Sequence, residues 1–277
     1  MLIYWGLELA KSKRIPLSVT IFKALSPQDI NSILRRRKEF SPIGNPRRND
    51  FCLLKDRNNS ILYDIEMNNY LLFGDSNTWG YRPASEGERF PFAQRIGGVL
   101  QNRLGDSARV IEEALNGRMT HWEDPLNPDK NGAKQLPIIL ETHRPIDFIS
   151  IMLGTNDLKR YLNLNPIDSA MGVSQLIDTI RESQCGRNGV TPEILVIAPP
   201  QYVDTNQPFG RLFEGAVEKS KCFPSAYKEI ANAQGVHFLD ASKSATPPAS
   251  GDGVHIDEIG STAIGNAIAD FIQENFK

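Results

Sequence analysis

Five short apolar runs, which alternate with segments of helical periodicity, constrain the fold of this chain more than any other feature. The apolar runs cover residues 70–74, 108–113, 147–153, 193–199 and 236–240. The helical patterns cover residues 90–104, 136–143, 166–183, 211–234 and 257–276. Apolar strands that alternate with helices are typical of a parallel sheet covered on both faces. We therefore predict an α/β fold, a three-layer α/β/α sandwich with a five-stranded parallel sheet, over residues 67–277.

Two of the helical segments carry apolar stripes that we expect to face the sheet. The stripe in residues 166–183 includes Ile167 and Met171, and the stripe in residues 257–276 includes Ile259. Residues three or four apart lie on one face of a helix, so each stripe predicts a buried face.

Residues 1–66 lack this alternation and carry the opposite net charge. They hold 12 Lys and Arg against 7 Asp and Glu, which gives +5, whereas the rest of the chain holds 19 against 26. Their one helical pattern covers about residues 27–39. We expect an N-terminal extension that is poorly ordered or not part of the natural protein, since Met67 stands just before the first strand. A basic arm that contacts RNA or a membrane is the alternative.

Composition argues against several classes of protein. A net charge of −2 over 277 residues gives no footprint for nucleic acid, and no apolar run is long enough to span a bilayer. Cys52, Cys185 and Cys222 are odd in number and widely spaced, which is typical of free thiols in a reducing compartment. Neither a metal-ligand spacing nor a glycine-rich phosphate loop occurs. We expect a cytoplasmic protein without a metal, a cofactor, or a nucleic-acid or membrane partner.

Polar motifs follow four of the five predicted strands. Gly74-Asp75-Ser76 follows the first strand, Asn116-Gly117 the second, "GTND" (154–157) the third and "DGVH" (252–255) the fifth. The carboxyl ends of parallel strands meet at one edge of a sheet. Motifs that are distant in sequence can therefore line one cleft.

These motifs supply the groups that ester hydrolysis by a serine enzyme requires. A serine hydroxyl needs a base, imidazole suits that task near neutral pH, and a carboxylate orients the imidazole. Ser76, His255 and Asp252 fit these three roles. The backbone N–H groups of Ser76 and Gly117 and the side-chain amide of Asn156 are candidate donors for an oxyanion hole.

Each motif alone also has a purely structural explanation. Ser76 could cap the next helix, Asp75 could orient its own turn, and residues 154–157 could form a plain turn. Four motifs in this order, each at a strand end, favour the catalytic interpretation.

The same residues resemble the SGNH (GDSL-type) hydrolase superfamily, which is named for a Ser, a Gly, an Asn and a His. The matching residues are Ser76, Gly117, Asn156 and His255. Asp252 stands three residues before the histidine, as the family pattern requires. The longer motifs "GDSNTWG" and "IMLGTND" resemble the compact bacterial arylesterase/acyltransferase subgroup.

The resemblance covers residues 67–277 and implies a flavodoxin-like fold. It implies ester hydrolysis without metal or cofactor, an acyl-serine intermediate, acyl transfer to alcohols or peroxide in some members, and a homo-oligomer. Asn77 departs from the family motif, which has Leu at this position. We expect that departure to tune packing rather than to remove the chemistry.

Aromatic and histidine side chains near the motifs could wall a small-molecule pocket or belong to the core. They are Trp79, Tyr81, His121, Trp122 and Phe213. Of these, we predict that Trp79, His121 and Trp122 bind the substrate.

The sequence therefore predicts a serine esterase that acts on a small-molecule carboxylic ester through an acyl-serine. A carbohydrate O-acetylesterase, a lysophospholipase and a thioesterase are alternatives that use the same residues. A binding module that keeps the fold without turnover is an alternative from another class. The complete set of catalytic residue types argues against it.

Overall fold

The computed structural model of the protein describes residues 52–55, 61–64, 67–205 and 207–276. The chain divides into two compact units, Met1–Glu66 and Met67–Lys277.

The first unit contains two short strands that the sequence analysis does not predict. Strands β1 (Cys52–Lys55) and β2 (Ile61–Asp64) pair in antiparallel fashion. The helical pattern at residues 27–39 lies outside the described residues.

The second unit is built on a five-stranded, all-parallel sheet. Its strands are β3 (Asn68–Gly74), β4 (Ala108–Ala114), β5 (Phe148–Met152), β6 (Glu193–Ala198) and β7 (His237–Asp240). Their order across the sheet is β4-β3-β5-β6-β7, and every neighbouring pair is parallel. This confirms the predicted fold class.

Seven α-helices accompany these strands in the described part of the second unit. They are α1 (Ser76–Trp79), α2 (Ile96–Leu104), α3 (Gly132–His143), α4 (Pro166–Ser183), α5 (Ala216–Ser220), α6 (Phe223–Gln234) and α7 (Glu258–Asn275). Short 3-10 helices lie at Phe92–Gln94, Gly105–Ser107, Thr155–Leu158, Arg160–Leu162, Arg187–Gly189, Pro208–Phe213 and Ala241–Lys243.

The single helix predicted over residues 211–234 is wrong. The segment consists of the end of a 3-10 helix and the separate helices α5 and α6. Gly215 has a φ of +81°, which an α-helix cannot continue through. Pro224 lies in the first turn of α6, where a missing N–H is tolerated.

Alternate residues of the strands face two separate hydrophobic cores. Leu71 and Phe73 of β3 pack with α3, α4 and α6, whereas Tyr70 and Leu72 pack with α2 and α7. Successive strand side chains point to opposite faces, so a strand buried on both faces is apolar throughout. The sheet is therefore the middle of three layers.

The predicted apolar stripes extend too far at the starts of two helices. Ile167 and Met171 of α4 are 45% and 56% exposed, and Ile259 of α7 is 74% exposed. The buried faces of these helices are formed by neighbouring residues such as Ala170, Val173 and Ile264. The three exposed side chains lie beside the buried stripe rather than on it.

Gly74 ends the central strand β3 and begins the turn toward Ser76. It pairs with Ala114 of β4 and with Met152 of β5, so three strands end at the same level. A Cβ atom at Gly74 would lie 2.1 Å from the Thr78 Oγ1 atom. Glycine ends this strand because α1 folds directly back over it.

We expect Gly74→Ala to lower the free energy of unfolding by about 1 to 3 kcal/mol, which is the usual cost of overpacking. Chemical denaturation measures this loss. The double variant Gly74→Ala/Thr78→Ala removes the closest clashing atom and should recover part of it. If the losses in free energy of unfolding of Gly74→Ala and Thr78→Ala simply add in the double variant, the clash with Thr78 is not the cause of the destabilisation.

Candidate active site

Ser76 is the first residue of α1, and its hydroxyl is not used to cap the helix. The N-cap is Asp75, whose Oδ1 accepts the backbone N–H of Asn77 at 3.0 Å. Asp75 therefore orients the turn, as the sequence predicts. Burial raises the pKa of Asp75, while the Asn77 N–H and the charge of Arg118 lower it.

Ser76, His255 and Asp252 form a continuous hydrogen-bonded chain. The Ser76 Oγ atom lies 2.8 Å from His255 Nε2, and His255 Nδ1 lies 2.8 Å from Asp252 Oδ2. All three residues are buried. The predicted nucleophile, base and orienting carboxylate therefore lie in contact in the expected order.

Asp252 is held by the backbone around it as well as by the imidazole. Its Oδ1 accepts the N–H groups of Val254 and His255 at 3.0 and 2.9 Å, and its Oδ2 accepts the N–H of Ala84 at 3.2 Å. Burial by itself raises the pKa of Asp252, but the bonds from His255 and Val254 outweigh it and lower the pKa to about 2. The carboxylate therefore stays ionised at neutral pH, as the orienting role requires.

Asn77 makes a second link between the serine turn and the histidine loop. Its Oδ1 accepts the backbone N–H of Ile256 at 3.0 Å, and the side chain is buried. The expectation that this departure from the family motif only tunes packing is therefore incomplete. A buried side-chain amide needs a hydrogen-bond partner. The sequence shows the amide at position 77 but does not indicate which group it binds.

Gly117 lies in a tight turn after β4. The Arg118 N–H donates to the Leu115 carbonyl at 3.0 Å, and Gly117 has a φ of +82°. A positive φ at the third position of such a turn favours glycine. A Cβ atom there would lie 3.6 Å from Lys130 Cε, which is ordinary contact. Backbone conformation, rather than lack of space, explains this glycine.

Asn156 lies in the 3-10 helix after β5 and is buried. Its Nδ2 donates to the Arg118 carbonyl at 3.1 Å. An amide nitrogen carries two hydrogens, and this bond occupies one of them. The loops after β4 and β5 are therefore joined at the residue that sequence analysis assigns to the oxyanion hole.

Asp157 joins the same two loops a second time. Its two carboxyl oxygens accept from Thr120, at 3.0 Å from the backbone N–H and 2.6 Å from the hydroxyl. Complete burial raises the pKa of Asp157 to about 6, although the bonds from Thr120 lower it. Asp157 is therefore a structural residue of this edge of the sheet.

Two aromatic rings contact the imidazole. Tyr81 stacks on His255 with ring centroids 4.3 Å apart, and the Phe209 ring lies 5.5 Å away. Phe213, which sequence analysis left open, is buried in the core against Tyr202. Phe209 was missed because it lies in a 3-10 helix with no distinctive sequence signal.

The three residues predicted to bind substrate make contacts of their own. The Arg89 guanidinium lies over the Trp79 ring at 4.7 Å. The rings of His121 and Trp122 pack edge to face, and Trp122 Nε1 donates to the Asp168 carbonyl of α4. Their role in substrate binding stays a prediction.

Comparison with known proteins identifies the family. Residues 72–263 match the model of the GDSL-like lipase/acylhydrolase family. The chain belongs to this family. This GDSL-type hydrolase contains, within the described residues, no cluster of three or more His, Cys, Asp or Glu that could hold a metal ion.

Solved structures of esterases resemble this GDSL-type hydrolase. An aryl esterase of Mycobacterium smegmatis is 38% identical, with a TM-score of 0.70 over 75% of this chain and 99% of its own. Est24, a carbohydrate acetylesterase of Sinorhizobium meliloti, is 36% identical, with a TM-score of 0.71 over 76% of this chain and all of its own. These similarities support a carboxylic ester hydrolase.

Further comparisons add the fold alone. A lipase/acylhydrolase of Enterococcus faecalis is 19% identical, with a TM-score of 0.55 over 76% of this chain and 98% of its own.

A comparison with curated protein sequences gives no match. Among the described helices of the GDSL-type hydrolase, none is long and apolar enough to cross a bilayer.

The raised pKa of Asp157 predicts a dependence of stability on pH. In the folded protein the pKa is about 6, above the ordinary 3.8, so the folded state binds the proton more tightly than the unfolded chain. This carboxyl therefore contributes stability at low pH that is lost as the pH rises from about 4 to about 6. Asp157→Asn keeps an acceptor for the Thr120 N–H but does not titrate.

We expect the free energy of unfolding of the wild type to fall by about 1 to 3 kcal/mol relative to Asp157→Asn between pH 4 and pH 7. Denaturant titrations at a series of pH values measure the difference. Asp106→Asn, which changes an exposed carboxyl, is the control and should follow the wild type. If the free energies of unfolding of the wild type and Asp157→Asn change with pH in the same way, the raised pKa of Asp157 is contradicted.

Proposed function

We propose that this protein is a serine esterase that hydrolyses small carboxylic esters, of the acetyl type, with Ser76 as the nucleophile. The unbroken chain from Ser76 Oγ through His255 to Asp252, with both links at 2.8 Å, is the observation that carries the proposal. Such a chain is the arrangement that activates a serine in unrelated hydrolases.

In the acylation step, the Ser76 Oγ attacks the carbonyl carbon of the ester and His255 Nε2 accepts the hydroxyl proton. Asp252, which remains ionised, keeps the proton on His255 Nδ1 and stabilises the imidazolium. The tetrahedral intermediate then breaks its bond to the alcohol oxygen. His255 returns the proton to that oxygen, and the acyl group stays on Ser76.

The negative oxygen of the tetrahedral intermediate requires preorganised donors. We assign this task to the backbone N–H groups of Ser76 and Gly117 and to the second hydrogen of Asn156 Nδ2. The bond from Asn156 to the Arg118 carbonyl supports this assignment, because it fixes the amide before substrate arrives. A donor that is fixed in advance does not have to reorganise during the reaction.

Deacylation repeats these steps with a different nucleophile. Water gives up a proton to His255 and attacks the acyl carbon, and Ser76 leaves as the alcohol after proton return. An alcohol or hydrogen peroxide in place of water would give acyl transfer by the same route. The similarity to an aryl esterase and a carbohydrate acetylesterase supports acetyl esters of aryl alcohols or sugars.

Limited access to the reacting groups supports a short acyl chain. Ser76, Asn156 and His255 are 5%, 6% and 3% exposed. A long fatty acyl chain needs an apolar channel that reaches the nucleophile. Lysophospholipase and thioesterase activity are therefore weaker alternatives. A binding module without turnover is weaker still, because the hydrogen-bonded chain from Ser76 to Asp252 is continuous.

Cytoplasmic location and a homo-oligomer stay predictions.

We expect a fluorophosphonate probe to form one covalent adduct with the wild type and none with Ser76→Ala. The reason is that only a serine hydroxyl with an adjacent base reacts at a useful rate. Intact-protein mass spectrometry counts the adducts, and ester turnover is measured in parallel.

Ser225→Ala is the matched control, because Ser225 is exposed on α6 and its hydroxyl donates to the Cys222 carbonyl rather than to a histidine. It should label and turn over ester as the wild type does. Labelling or turnover by a folded Ser76→Ala protein would refute the assignment of the nucleophile.

A series of p-nitrophenyl esters tests the size of the acyl group. We expect kcat/KM to fall by at least about tenfold from acetate to octanoate, because Ser76 is only 5% exposed and the proposed site favours a short acyl chain. Acetylated xylan, tested beside the aryl acetate, separates a carbohydrate acetylesterase from an arylesterase. Equal kcat/KM for acetate and octanoate would instead favour a lysophospholipase or thioesterase.

A further inference from the structure

Arg118 is a buried cation that touches the ends of two strands. Its side chain donates from Nη1 to the Gly74 carbonyl at 3.0 Å and to the Glu113 carbonyl at 2.5 Å. Its Nε donates to Gln135 Oε1 of α3 at 2.8 Å, and the guanidinium lies 4.3 Å from the Phe73 ring centroid. Only 4% of the residue is exposed.

The backbone of the same residue shapes the other side of the site. The Arg118 N–H closes the turn that contains Gly117, by donating to the Leu115 carbonyl. The Arg118 carbonyl accepts the Asn156 amide at 3.1 Å. One residue therefore contacts the strand that leads to Ser76, the Gly117 turn and the Asn156 side chain.

A buried charge needs a function or a full set of partners. Burial lowers the pKa of Arg118 to about 10, while Glu113 and Asp75 raise it, so the side chain is charged at neutral pH. Its acceptors are the Gly74 carbonyl, which also accepts the Leu115 N–H, the Glu113 carbonyl and Gln135 Oε1. A planar fork of donors can serve several acceptors at fixed angles, which the single ammonium of lysine cannot do.

We propose that Arg118 is a positioning residue that sets the Asn156 amide, as an oxyanion donor, relative to the nucleophile. Its side chain fixes it to the end of β3, two residues before Ser76, and its backbone fixes the Gly117 turn and the Asn156 amide. This inference rests on the proposed function, because it assumes that Asn156 donates to the oxyanion. Sequence analysis did not single out Arg118, although it follows the Asn116-Gly117 motif directly.

A double-mutant cycle between Arg118 and Asn156 tests the proposal. The variants are Arg118→Lys, Asn156→Ala and the double variant, assayed on p-nitrophenyl acetate below the thermal midpoint of each. We expect Arg118→Lys to lower kcat by about 10- to 100-fold with KM changed less than about threefold, because only the transition state loses stabilisation. In the Asn156→Ala background, the same change should lower kcat by less than about threefold.

A merely structural role predicts a different pattern. If Arg118→Lys lowers kcat by the same factor with and without Asn156, the two residues act independently and the proposal is overturned. An unchanged kcat in Arg118→Lys overturns it as well. If Asn156→Ala leaves kcat unchanged, the proposed oxyanion role of Asn156 fails, and the role of Arg118 fails with it. If Asn156→Ala lowers kcat but the effects of the two substitutions are additive, the proposed function is retained and only the positioning role of Arg118 is overturned.

Two further variants protect the test against misfolding. Gln135→Ala removes the anchor of the Arg118 Nε while it leaves the buried cation in place. Gln135→Ala should lower kcat by about 2- to 10-fold in the wild type. In the Asn156→Ala background the same substitution should lower kcat by a smaller factor. Arg103→Lys makes the same substitution at an arginine that bonds Asp270 on the protein surface. It should leave kcat and KM unchanged, and an equal loss there would overturn the proposal.

Discussion

The parallel pairing of β3 with both of its neighbours is the constraint on which the rest of this structure depends. Gly74 stands opposite Ala114 on one side and Met152 on the other. Three loops therefore leave the sheet at one level and from adjacent strands. A shift in register by one residue would move the buried side chains to the opposite face. The same register that packs the two cores also sets the distance between the Ser76 hydroxyl and the Asn156 side-chain amide.

Polar contacts as well as apolar packing hold the loops at this edge. Asp75 caps α1, Asp157 binds Thr120, and Arg118 binds two strand carbonyls. Each of these charged groups is buried, which is unfavourable without partners. Asp157 and Arg118 bind groups of a neighbouring loop or strand, and Asp75 accepts a backbone N–H of the helix that it caps. These polar contacts fix the loops that carry Ser76, Gly117 and Asn156 at this edge of the sheet.

Much of the fold followed from sequence because each strand is apolar on both faces and each motif stands at a strand end. Periodicity could not place the ends of the apolar stripes, as Met171 and Ile259 illustrate, because burial there depends on the extent of neighbouring elements. It also could not detect the break at Gly215. In the site, residue types with familiar chemistry were found, whereas the hydrogen-bond partner of Asn77 and the contacts of Arg118 were not. Their importance comes from backbone groups of distant loops, and sequence patterns do not reveal which backbone atoms a side chain meets.

Two parallel hydrogen bonds join residues that are 179 positions apart, Ser76 to His255 and Asn77 to Ile256. Closing so long a segment is entropically costly until the strands between them have assembled. The serine therefore meets its base only when the loop before α7 has docked against the start of α1. A partly folded chain carries the hydroxyl without the imidazole. The Ser76 hydroxyl is therefore activated by this base only after the long segment between the two residues has folded.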